Sequence, residues 1–220
     1  MAKHAVKHAK RLSPKAIVAI VAAAVMLCGM IGGTLAWLID KTDAVVNTFT
    51  YGDINIKLDE TILDANGNTV DTDNDGTPDR GESGNVYKMI PGQTITKDPI
   101  LTVDADSEDC YVFVKLVEST NAKFGDFMTY EIDPTWAALA GVDGVYYRVV
   151  SAETDLAAGD LAMNVIKNKT VTVKDTVTKE MLNNLTDTTY PTLTVTGYAV
   201  QQAGMADAAA AWAAINPTNP

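Results

Sequence analysis

Short runs rich in Val, Ile, Thr and Tyr, broken by clusters of Gly, Pro, Asn and Asp, constrain the fold of this chain more than any other feature. "TITKDPILTV", "CYVFVKLVES", "GVYYRVVS", "KTVTVKD" and "TLTVTGYAVQQ" share the pattern, and "NTFTYGDINIKLDE" alternates with a break at Gly52. β-Branched and aromatic residues suit a half-buried pleated surface, and turn formers punctuate it. Short strands at this spacing predict an all-β domain, an antiparallel β-sandwich of jelly-roll or Greek-key type. Helical signals are few. "PTWAALAG", from Pro134, and "TVTKEMLNNL" read as short helices between strands. The alanine-rich "MADAAAAWAAI" predicts a helix over about 204–215, with Met205, Ala208, Trp212 and Ile215 on one packing face and Asn216-Pro217 as its stop.

The N-terminus has a different character. Lys3, Lys7, Lys10, Arg11 and Lys15 precede an uncharged run from Ala16 to Ile39. That run is long enough to span a bilayer and longer than an ordinary signal-peptide core, so anchor and signal both remain open on composition. Two details favour a signal helix. "GMIGG" breaks a helix, and Thr34-Leu35-Ala36 puts small residues at the −3 and −1 positions, as a signal peptidase requires. The basic flank stays cytoplasmic in either case, which places the domain outside the membrane.

The segment "GGTLAWLIDKTDAVVNTFTYGDINIKLDET" resembles the start of the TasA/camelysin family of Gram-positive cell-surface and biofilm-matrix proteins. The resemblance rests on Gly32, Gly33, Thr34, Ala36, Trp37, Asp40, Asn47, Phe49, Gly52 and Ile56. "MIPGQTITKDPILTVDADSEDCYVFVKL" and "LTVTGYAVQQAGMADAAAAWAAI" resemble later stretches of the same family. The resemblance implies a leader of residues 1–36, cut between Ala36 and Trp37 by a SipW-type signal peptidase. It implies a jelly roll over residues 50–220, and a donor strand over 37–49 that adds to the next copy. Trp37, Ile39, Val45, Val46 and Phe49 would supply the apolar knobs of that strand. The partners expected are then the chain itself, as a head-to-tail homopolymer, the signal peptidase and other matrix proteins, with the membrane met only by the precursor.

Within the acidic stretch 64–84, "DTDNDGTPDRGE" fits the spacing of a twelve-residue calcium loop. Asp71, Asp73 and Asp75 take its first ligand positions and Gly76 its bend. Thr77 offers a carbonyl, and Asp79 and Glu82 close the set. A tightly curled loop turns alternate oxygens toward one centre, where a hard cation offsets their repulsion. Asp64, Asn66 and Asn68 form a smaller cluster nearby. The other reading of the stretch is a flexible acidic hairpin tip that binds nothing.

Charge and composition narrow the function. The chain carries −11 overall; without the five basic residues of the leader, 12 basic face 28 acidic residues and the remainder carries −16. Such a domain repels nucleic acid and anionic lipid. His4 and His8 both lie in the leader, so a mature chain has no histidine for a zinc site or a general base. Camelysin-type metalloendopeptidase activity, which the family name suggests, finds no H-E-x-x-H motif, and a non-enzymatic role is expected. Cys110 reads as a small apolar residue without a disulfide partner. Tyr111, Phe113, Tyr146 and Tyr147 read as packing residues rather than glycan stackers. The expected function is a secreted structural subunit of an extracellular matrix fibre; the alternative is a monomeric calcium-binding adhesion module at the cell surface.

Overall fold

The computed structural model describes Lys15 and residues 53–215. The chain divides at Thr50 into two units, and the fold below is that of the second. The expected signal helix, the cleavage site at Ala36 and Trp37, and the donor residues Trp37, Ile39, Val45, Val46 and Phe49 lie outside the described residues. Among those described, no helix is long and apolar enough to cross a membrane.

The strands are β1 (Ile56–Thr61), β2 (Arg80–Gly81), β3 (Thr94–Thr96), β4 (Ile100–Val103), β5 (Cys110–Glu118), β6 (Met128–Ile132), β7 (Ala137–Ala138), β8 (Val145–Val150), β9 (Leu161–Asn164), β10 (Ile166–Val173) and β11 (Leu193–Gln201). Three short helices accompany them: α1 (Phe124–Phe127), α2 (Lys179–Asn183) and α3 (Ala208–Ile215). All pairings are antiparallel, in the orders β2-β1-β4-β9, β3-β10-β6 and β11-β5-β8-β7. The all-β expectation therefore holds.

The first two sheets continue into each other. "TITKDPILTV" is split at Lys97–Pro99 into β3 and β4, because proline cannot donate to a ladder. Across the split, the Lys97 N–H donates to the Lys169 carbonyl at 2.8 Å and the Val165 N–H to the Pro99 carbonyl at 3.0 Å. A bulge in β10, with Asn168 and Lys169 at positive φ, turns the partner strand through the same corner.

β5 lies at the centre and is buried on both faces. Cys110, Val112, Val114 and Leu116 pack against Leu101, Val103, Met163 and Val165 of the first sheet. Tyr111 and Phe113 point the other way, into a second cluster under α3 with Val145, Val200, Ala211 and Trp212. The half-buried reading of "YVFVKL" is thus corrected: a layer stands on each side of it. Gly197 lets β11 close onto the first sheet, since a Cβ there would stand 2.6 Å from Leu101 Cδ1. Burial pushes the free thiol of Cys110 up to about 11, which keeps it protonated and inert.

The helices depart from expectation in two places. "PTWAALAG" is not helical. Asp133 accepts the Thr135 N–H at 3.0 Å on its side chain and the Trp136 N–H at 3.0 Å on its carbonyl, closing a turn. The Trp136 indole donates to the Asn164 carbonyl at 2.8 Å, and Ala137–Ala138 then pairs with β8. The C-terminal helix begins at Ala208 rather than near 204, because Asp207 caps it through the Ala210 N–H at 2.8 Å. Its buried face is Ala208, Ala211 and Trp212; Met205 packs from the preceding turn, and Ile215 is exposed.

Candidate metal centre

The acidic loop springs from a small backbone ladder. The Val70 N–H donates to the Ile62 carbonyl, the Ile62 N–H to the Asp79 carbonyl and the Asp79 N–H to the Val70 carbonyl, all within 3.0 Å. Residues 71–78 must therefore turn back within one short loop. Asn74 and Gly76 make the reversal in left-handed conformations, φ 58° and 89°. Asparagine tolerates that region and glycine enters it freely.

The reversal brings carboxylate oxygens of Asp71, Asp73 and Asp79 within 4.8 Å of one another. Like charges at that separation repel by about 1–3 kcal/mol per pair at effective dielectrics between that of water and 20. The loop offsets part of this with its own donors. Asp71 Oδ2 accepts the Gly76 N–H at 3.1 Å, Asp73 Oδ1 accepts the Asp75 N–H at 3.3 Å, and Asp79 Oδ2 accepts both the N–H and the hydroxyl of Thr72. Asp71 Oδ1 is shielded from solvent and has no hydrogen-bond partner among the described residues. A buried carboxylate oxygen without a partner is costly, and a hard cation would relieve it.

The remaining members of the twelve-residue pattern sit elsewhere. Asp75 turns to the N–H and hydroxyl of Thr77, and these bonds hold its carboxyl below the usual range. Glu82 is exposed and lies past β2, outside the three-aspartate group, because pairing of Arg80–Gly81 with Glu60–Thr61 leads the chain away. Asp64 is turned inward on its own bend, accepting the Asn66 and Asn68 N–H groups at 2.8 and 2.9 Å.

Sequence reasoning missed what fixes the loop in place. Arg80 follows Asp79 directly and is half-buried. Its Nε donates to Asp59 at 2.7 Å, its Nη1 to Asp98 at 2.6 Å, and its Nη2 to the carbonyls of Asp59 and Asp98 at 3.0 and 2.9 Å. Asp98 also accepts the N–H and hydroxyl of Thr61 at 3.0 and 2.8 Å. Burial works to raise the pKa of both aspartates. The hydrogen bonds and charges of their partners, Lys57 and Arg80 for Asp59 and Arg80 and Thr61 for Asp98, outweigh it and hold both carboxyls below the usual range. The available signal was that Arg80 and Arg148 are the only arginines after Arg11. No family model, curated protein or solved structure matches the chain.

Proposed function

We propose that the mature chain is a secreted structural subunit of an extracellular matrix fibre. Each copy adds the segment after Ala36 as a strand to the next copy. The observation that carries this reading is the edge of β11. The Thr192 carbonyl accepts the Ser119 N–H, and the Gln202 N–H donates to the Asp109 carbonyl. By antiparallel alternation, Leu193, Val195, Gly197, Ala199 and Gln201 turn their N–H and C=O groups away from β5. Among the described residues no strand pairs with that edge, although β1 runs beside it. An incoming extended segment would gain main-chain hydrogen bonds there. A head-to-tail contact of this kind, if it does not close a ring, grows into a filament. The jelly-roll reading is supported by the pairing of β5 with both β8 and β11, and of β10 with both β3 and β6.

Protein beginning at Trp37 is expected to form fibres visible by electron microscopy, and protein lacking 37–48 is expected to keep its β circular dichroism but form none. Fibres from the shortened chain would remove the donor-strand role. Monomers from the intact one would favour the adhesion module.

Calcium binding belongs to either reading and is supported by the unpartnered Asp71 oxygen. Asp71, Asp73 and Asp79 would hold the ion, which would fix the loop. Isothermal titration should give heat at a dissociation constant of about 0.1–1 mM. Asp73→Ala should abolish the heat, and Asp75→Ala should weaken it less, since Asp75 faces Thr77. No heat from the intact chain at millimolar calcium would end the proposal.

A further inference from the structure

Neighbouring residues of a strand point to opposite faces, so β1 sends Asp59 toward Arg80 and Glu60 to the other side. Glu60 is 7% exposed, and its carboxyl holds two residues at once, taking the Asn85 N–H at 3.1 Å as well as two side chains. Lys97 Nζ donates to Oε2 at 2.8 Å, and Asn85 Nδ2 donates to Oε1 at 3.0 Å. The Asn85 amide is held at both ends. Nδ2 also donates to the Thr61 carbonyl at 2.8 Å, and Oδ1 accepts the Leu63 N–H at 2.9 Å. These backbone partners assign which end of the amide is oxygen. The Lys97 side chain is 14% exposed, and its Nζ stands 5.5 Å from the centroid of the Tyr87 ring. A buried ion pair needs only its two charges and their hydrogen bonds. This one also gathers an amine and a carboxamide on a single carboxyl, and the carboxamide carbonyl already accepts a backbone N–H.

We propose that Lys97 and Asn85 join in a covalent side-chain amide, with Glu60 carrying the protons. The Glu60 carboxylate first takes one proton from the Lys97 ammonium, leaving a neutral amine and a carboxylic acid with no change in net charge. The Nζ lone pair attacks Asn85 Cγ, and the carbonyl π pair moves onto Oδ1, where the Leu63 N–H stabilises the developing charge. Glu60 then protonates Nδ2. The Cγ–Nδ2 bond breaks as the carbonyl re-forms, and ammonia departs. The surplus proton on Nζ passes through Glu60 to the ammonia. The products are a secondary amide with one hydrogen on Nζ, an ammonium ion and a regenerated carboxylate. Nothing is oxidised or reduced, and no cofactor takes part. Fixed placement of amine and amide on one carboxyl supplies the effective concentration that the reaction lacks in solution. The product closes the extended segment between Asn85 and Lys97, which carries the exposed Val86 and Ile90, into a covalent loop.

Mass spectrometry of the purified full chain tests the proposal. Tryptic digestion should give residues 81–88 joined to residues 89–115, uncut after Lys97 and lighter than the two peptides together by one ammonia. Glu60→Gln, Asn85→Ala and Lys97→Arg should each return separate peptides of unmodified mass. Lys97→Arg keeps a cation opposite Glu60, so circular dichroism of that variant separates loss of the bond from loss of the fold. Cleavage after Lys97 with free 81–88 from the folded protein would overturn the proposal. So would a lost ammonia that maps to Asn66-Gly67, where a succinimide would form instead.

Discussion

Arg80→Ala is expected to lower the unfolding free energy by about 3–5 kcal/mol at neutral pH, the range for removing one partner of a buried ion pair. Asp59 and Asp98 are each 8% exposed, and Arg80 supplies a charged partner to both. Lys57 remains beside Asp59, but it is largely exposed and screened by solvent, and it bonds neither of the two backbone carbonyls that Nη2 serves. Arg80→Lys should recover only part of the loss, because an ammonium cannot reproduce the planar fork. The pH dependence follows from the depressed carboxyls. Their contribution is fully present above the unfolded aspartate value of about 3.9 and is lost as pH falls through their lower folded values. In the alanine variant burial acts with less opposition, the carboxyls titrate higher, and acid costs the variant less. The stability gap between the two proteins should therefore narrow as pH falls through 4. Urea midpoints at pH 7 and at about pH 3 measure this; a difference below about 1 kcal/mol at pH 7 would show that the network is not structural.

Trp212→Ala should cost about 3–5 kcal/mol, as large-to-small changes in packed cores do. Trp212 is 5% exposed, with ring centroids 5.3 Å from Phe113 and 5.2 Å from Tyr198, the latter edge to face. It is the one large side chain that α3 lays on β5 and β11, since the rest of that helix face is alanine. Without it the helix has little to hold it down, and the apolar outer face of the third sheet becomes available for aggregation. Ile215→Ala, at the exposed end of the same helix, should change stability by no more than about 0.5 kcal/mol. Denaturant midpoints and near-ultraviolet circular dichroism of the two variants give the comparison; equal effects would mean that α3 does not seal the second core.

Local sequence carried the strands that form from β-branched runs. "CYVFVKLVES", "GVYYRVVS" and "TLTVTGYAVQQ" became β5, β8 and β11 almost as read. β6, "MTYEI", and β9, "LAMN", were not seen, because neither run differs enough from its surroundings to stand out. Both exist by pairing, β6 with β10 and β9 with β4. "PTWAALAG" failed in the opposite sense. Its alanines favour a helix in isolation, but burial of Trp136 and pairing with β8 outweigh a preference of a few tenths of a kcal/mol per residue. In the acidic loop, spacing identified the aspartates that lie together, Asp71, Asp73 and Asp79, because a tight loop makes neighbours of residues close in sequence. It did not separate them from Asp75 and Glu82. Whether a carboxylate faces the centre depends on a competing donor, Thr77, and on a strand pairing, β1 with β2.

The sequence by itself determined the all-β class, the apolar character of Cys110, the packing role of Tyr111 and Phe113, and the position of the acidic loop. Each follows from residue type and short-range periodicity. Only the tertiary structure decided that β5 is covered on both faces, that Arg80 joins Asp59 to Asp98, and that Glu60 bonds both Lys97 and Asn85. Alternation along a strand shows which side chains share a face but carries no record of what lies over it. The charged partners come from β1, β2, the stretch after β2 and the corner between β3 and β4, segments that meet only when the sheets form.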